Sequence, residues 1–113
     1  MFKKMTVDEF YPYWLTVREN GRPGCMIDVR APEEYAQAHV PGTELIPLHT
    51  LPARLNEIPK DKPVYLICQA GGRSAQAAMF LAKSLGHEQL INIEGGTMAW
   101  IAAGYPVDNR RKS

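Results

Sequence analysis

Three short, mostly apolar runs recur along the chain, and segments with helical spacing separate them. Val64-Tyr65-Leu66-Ile67 carries no charge and reads as a strand buried on both faces. Cys25 to Val29 and Leu90 to Ile93 read as two more strands. Ahead of them, Thr6 and Glu9 have the form of a capping box that opens a helix. Val7, Phe10, Tyr11 and Trp14 then fall on one helical face. Pro12 interrupts that pattern, which predicts a kink or two short pieces. A helix is expected from Pro32, where Glu33 and Glu34 favour the positive end of the dipole. Pro41-Gly42 reads as a turn, and about 51–58 as a helix ending before Pro59. From Ser74, the residues Ala78, Leu81, Ala82 and Leu85 recur at helical spacing up to a stop at Gly86. A last short helix is expected around Met98 to Ala103. Strands alternating with helices predict an α/β fold with a mainly parallel central sheet flanked by helices.

The chain's 113 residues fit one domain over 1–113, with a core at about 5–107 and a flexible tail over 108–113. Apolar residues make up 45% and charged residues 22%, which excludes a disordered or fibrous chain. A net charge of +1 argues against a nucleic-acid partner. The cluster Arg110, Arg111 and Lys112 reads as a solvated tail. No stretch reaches the ~20 apolar residues a membrane span needs, and Asp8 and Glu9 rule out a signal-peptide apolar core at the start. Two cysteines are too few for a disulfide framework, so a cytoplasmic, reducing setting is expected.

The chemistry lies between the strand at 64–67 and the helix after Ser74. Cys68-Gln69-Ala70-Gly71-Gly72-Arg73-Ser74 sets a cysteine at a strand end, facing the N-terminus of the next helix. Helix dipole and unpaired N–H groups favour the thiolate there, the reactive form of cysteine. Gly71 and Gly72 let the backbone curl into an anion-binding nest, and Arg73 adds a planar donor fork. Cys68 is therefore the candidate nucleophile, and Gln69, Ala70, Gly71, Gly72, Arg73 and Ser74 are the candidate substrate-binding loop. The bland alternative, an inert strand-end cysteine before a glycine turn, does not account for the Gly-Gly-Arg-Ser continuation.

From Met26 to Val107 the chain resembles the rhodanese family. Ile27-Asp28-Val29-Arg30 is similar to its first strand with a D-x-R ending. Glu33-Glu34-Tyr35 and His39-Val40-Pro41-Gly42 resemble its next block, Cys68 to Ser74 its catalytic loop, and Gly95-Gly96 with Trp100 and Gly104 to Val107 its closing blocks. The resemblance implies a sulfurtransferase without metal or other cofactor. Its Cys68 would take sulfur from thiosulfate or a persulfide donor and pass it to a thiol, cyanide or a protein cysteine. Asp28 and Arg30 are then expected to support the loop, and His39 to be structural. The chain departs from the family at Gln69 and Ala70, where an arginine and a serine are usual. Arg73 is then the loop's only formal charge, so a dianion such as thiosulfate should bind less well and an arginine at 69 should strengthen its binding.

Three other readings stay in view. A protein-to-protein sulfur relay with little thiosulfate activity fits the same residues. A cysteine phosphatase or arsenate reductase fits less well, because those loops place five residues between Cys and Arg where this chain has four. A silent interaction module would not need both Cys68 and Arg73. Cys25 and Cys68 begin and end their strands, so in a parallel sheet they would lie on the order of 15 Å apart. That excludes a disulfide and leaves Cys25 as a core residue. His39, His49 and His87 lack ligand spacing, so no metal site is expected.

Overall fold

A computed structural model describes residues 2–20 and 25–109. Its five strands are β1 (Lys3–Met5), β2 (Met26–Asp28), β3 (Glu44–Leu45), β4 (Val64–Ile67) and β5 (Leu90–Ile93). They form one sheet of order β1-β5-β4-β2-β3 in which every pairing is parallel. The α-helices are α1 (Val7–Asn20), α2 (Pro32–Gln37), α3 (Gly72–Leu85) and α4 (Gly96–Ala102).

Alternation along the strands builds a core on each face of the sheet. Ile27, Val64, Leu66 and Leu90 point to one side, where they meet Ala77, Ala78 and Leu81 of α3. Met26, Tyr65, Ile67, Ile91 and Ile93 point to the other, against Phe10 and Trp14 of α1 and Trp100 of α4. Both faces of the central strands are thus covered by helices, which explains why all four residues of β4 are apolar and buried.

Several elements differ from the sequence expectation. Helix α1 runs unbroken through Pro12. Its first turn is secured by the Thr6–Glu9 box, in which each backbone N–H donates to the other residue's side chain at 2.9 and 3.1 Å. Phe10, Tyr11 and Trp14 also anchor it around the proline through ring contacts with Tyr65, Tyr105 and Trp100. The expected helix at 51–58 is instead a pair of 3₁₀ segments, Leu48–Ala53 and Leu55–Glu57. Pro52 has no N–H to give an α-helical ladder, and the Thr50 N–H and hydroxyl both turn back to the Pro47 carbonyl at 2.8 Å. Helices α3 and α4 start two residues earlier than the spacing predicts, each on a glycine. Strands β1 and β3 were not expected. Asp108, placed in the tail by the sequence reading, instead pairs its backbone with that of His39 at 3.0 and 2.9 Å. Arg110, Arg111 and Lys112 lie outside the described residues.

Candidate active site

Strand β4 ends at Ile67, and Cys68 opens the loop into α3. Neighbouring elements take up the loop's carbonyls from outside. The Thr97 and Met98 N–H groups at the start of α4 donate to the carbonyls of Cys68 and Gln69 at 2.8 and 3.1 Å. From β5, the Asn92 side-chain amide donates to the Gly71 carbonyl at 3.3 Å. This close approach needs a glycine at 96, because a Cβ there would lie 2.3 Å from the Cys68 carbonyl oxygen. Gly71 takes φ +111°, a left-handed conformation that closes the loop and caps α3. Gly72 has ordinary negative φ and open space around it, so the backbone freedom expected of both glycines is used at Gly71 alone.

With its carbonyls held outward, the loop aims donors at the sulfur. The Gly71 N–H lies 3.1 Å from Cys68 Sγ and the Ser74 hydroxyl 3.3 Å. Cys68 itself is 1% exposed. Burial pushes its thiol up, but donation from the Ser74 hydroxyl and from the N–H groups of Ser74, Gly71 and Ala70 outweighs this and leaves it below its ordinary value. Ser74 also approaches Asn92 Oδ1, so two buried polar side chains stand behind the sulfur.

Arg73 projects from the first turn of α3, but its fork is occupied. Its two terminal nitrogens donate to the two carboxylate oxygens of Glu34 on α2, at 2.8 and 2.9 Å. That pairing holds the Glu34 carboxyl down from its usual 4.5 to about 2. Arg30 is 3% exposed and bridges three segments. Its Nε and Nη2 donate to Asp28 at 3.0 and 2.9 Å, its Nη1 to Gln69 Oε1 at 3.1 Å, and its Nη2 to the Ala38 carbonyl at 2.8 Å. Asp28 and Arg30 are therefore joined to the loop through Gln69, and an arginine at 69 would meet the Arg30 guanidinium instead of accepting its hydrogen. Ala70 is exposed at the loop's tip. Beside the loop, a depression of about 310 Å³ is lined by Arg30, Glu34, Gln37, Gln69, Thr97 and Ile101.

The remaining sequence candidates lie elsewhere. Cys25 and Cys68 are both buried, at opposite ends of neighbouring strands, since Cys25 precedes the Met26–Tyr65 register and Cys68 follows Asp28–Ile67. His39 stacks on Tyr35 and bonds its backbone carbonyl at 2.8 Å. Among the described residues, no cluster of three or more His, Cys, Asp or Glu side chains is placed to hold a metal. Three residues escaped the sequence reading: Glu34 as Arg73's partner, Asn92, and Thr97 with its buried hydroxyl. Asn92 did leave a signal, as the one polar side chain in an otherwise apolar strand.

The family model of the rhodanese-like domain matches residues 14–103. A sulfurtransferase from Allochromatium vinosum is 39% identical over 82 residues, covering 73% of this chain and 76% of that protein. The Bacillus subtilis protein YqhL is 41% identical over 100 residues, covering 88% and 73%. Among solved structures, a rhodanese-like domain protein from Staphylococcus aureus superposes with a TM-score of 0.77 at 33% identity, covering 98% of this chain and 99% of that one. Sequence and architecture agree, and the chain belongs to the rhodanese-like family of sulfurtransferases.

Proposed function

We propose that the protein carries sulfane sulfur as a persulfide on Cys68. In the first half-reaction the Cys68 thiolate attacks the outer sulfur of thiosulfate or of a carrier persulfide. An S–S bond forms at Cys68, and the bond inside the donor breaks, so that sulfite or a thiolate leaves with the electron pair. In the second, an acceptor nucleophile attacks the outer sulfur and Cys68 departs as thiolate. A thiol, cyanide or a protein cysteine can serve as the acceptor. Neither half-reaction changes the total oxidation level, and each balances without a further reactant. Two half-reactions through one covalent intermediate imply ping-pong kinetics.

The observation that carries this reading is a buried sulfur that accepts from the Gly71 amide at 3.1 Å and the Ser74 hydroxyl at 3.3 Å, with the Ala70 and Ser74 amides also favouring its thiolate. Those donors stabilise the attacking thiolate, and again the Cys68 thiolate when it leaves. A sulfur only 1% exposed favours donors that present one terminal sulfur atom over a tetrahedral phosphate ester. The reducing cytoplasm suits this chemistry because it supplies thiol acceptors.

The test is intact-mass spectrometry after exposure to thiosulfate and, separately, to cysteine persulfide. The protein should gain about one sulfur mass, lose it on adding cyanide or a thiol, and gain none in Cys68→Ser. Comparable transfer by Cys68→Ser and the parent would rule out the assigned nucleophile.

A further inference from the structure

Both arginines near the catalytic loop are already matched to carboxylates. Arg30 grips Asp28 through two nitrogens, and Arg73 grips Glu34 through two more, all at 3.0 Å or less. Gln69 and the Ala38 carbonyl take further hydrogens of Arg30. Once Cys68 is a thiolate, these five ionised groups together carry one net negative charge. Uncharged N–H dipoles remain to attract an anion, together with whatever the arginines can spare. Glu34 sits where this balance matters, because it lines the depression beside Gln69 as well as holding Arg73.

We propose that Glu34 sets the donor preference of this site, holding Arg73 away from dianions such as thiosulfate and leaving the site to persulfides on thiol carriers. The inference rests on the persulfide reading above and adds the donor class to it. A dianion approaching this loop meets a carboxylate on the wall and a guanidinium whose fork is filled. Binding through Arg73 would break a bidentate pair in which both hydrogen bonds are charge-assisted. A carrier persulfide presents at most one charge at its reacting end and needs no such exchange. The position 69 departure acts in the same direction, because Gln69 ties one edge of Arg30 where a family arginine would add charge. Glu34 is thus a specificity-determining residue that acts through Arg73.

Glu34→Gln isolates the charge. Glutamine has the same shape and keeps an oxygen to accept from the Ala31 N–H, as Glu34 Oε1 does at 3.0 Å, so α2 retains its first turn. Glu34→Ala serves as a second variant that removes the same charge. Steady-state rates would be measured with thiosulfate and with cysteine persulfide, and persulfide loading of Cys68 would be followed by mass. In both variants the KM for thiosulfate should fall roughly tenfold at low ionic strength. That gain should shrink as salt is added, and the ratio of kcat/KM for thiosulfate to that for cysteine persulfide should rise severalfold in both variants. An unchanged or higher thiosulfate KM in variants whose Cys68 still loads would overturn the donor assignment alone. An equal gain for both donors would overturn it too. If neither donor loads Cys68 in the parent protein, the persulfide reading is overturned, and the inference with it.

Discussion

Ser74 carries one hydroxyl hydrogen and faces two acceptors, the Cys68 sulfur at 3.3 Å and Asn92 Oδ1. The hydroxyl can donate to only one of them at a time. When the sulfur is a thiol, it can donate to the Ser74 oxygen while the hydroxyl hydrogen serves Asn92. When the sulfur ionises, that hydrogen is available to the thiolate. Ser74→Ala removes this donor and leaves the amides in place. Alkylation of Cys68 by iodoacetamide should rise with pH as the thiolate forms, and in Ser74→Ala the rise should come at higher pH, because the thiolate has lost a hydrogen-bond donor. A midpoint unchanged by the substitution would leave the lowered thiol to the backbone alone. At this scale the candidate nucleophile and its loop were legible, because Cys68 to Ser74 is contiguous and its glycines and arginine are informative types. The partners were not. Glu34 and Arg73 lie 39 positions apart, and Asn92 reaches Gly71 from 21 positions away. Such pairings arise only when the sheet brings β5 and α2 to the loop.

Among the elements, α4 bears most directly on the candidate site, through its first turn. Its Thr97 and Met98 amides hold the two carbonyls that shape the loop, and Gly96 makes the approach possible. Gly96→Ala would press a methyl group onto the Cys68 carbonyl at a residue with φ +59°. The expected cost is roughly 2–4 kcal/mol of stability, with loss of sulfur transfer even in the fraction that remains folded. Urea unfolding monitored by circular dichroism, alongside persulfide loading by mass, measures both. A glycine opens both α3 and α4, and each helix begins earlier than spacing predicts. Glycine reads as a helix breaker in sequence, yet Gly96 opens α4 where the loop backbone must pass close by, while Gly72 opens α3 with open space around it. Strand β3 is two residues long and β1 reads Lys3-Lys4-Met5, so neither leaves a periodicity to detect. The 3₁₀ pair at 48–57 has apolar spacing that suits a helix, but Pro52 denies it an α-helical ladder.

For the whole molecule, the two-sided sheet was the most legible feature. A charge-free strand such as β4 has no solvent face to offer, and the alternation of helices and strands follows from that. The aromatic cluster on one side is less evident from pattern alone. Trp14 and Trp100 are fully buried, with ring centroids 5.1 Å apart, and Phe10, Tyr11 and Tyr105 pack around them. The Trp100 indole N–H also donates to the Pro106 carbonyl, joining the segment after α4 to the core. Trp100→Ala should therefore cost about 3–5 kcal/mol, a large part of the roughly 5–15 kcal/mol that stabilises a domain of this size. The urea midpoint should fall accordingly, and a drop worth less than about 1 kcal/mol would show that this cluster is not central to stability.

All five strands run in one direction, so the turns that enter β4 and β5, at 59–63 and 86–89, share the rim opposite the sulfur. Lys60 is exposed on that rim. A fluorophore or bead tethered there would leave the surroundings of Cys68 untouched, and molecules immobilised in this way would all turn the Cys68 end toward the solution.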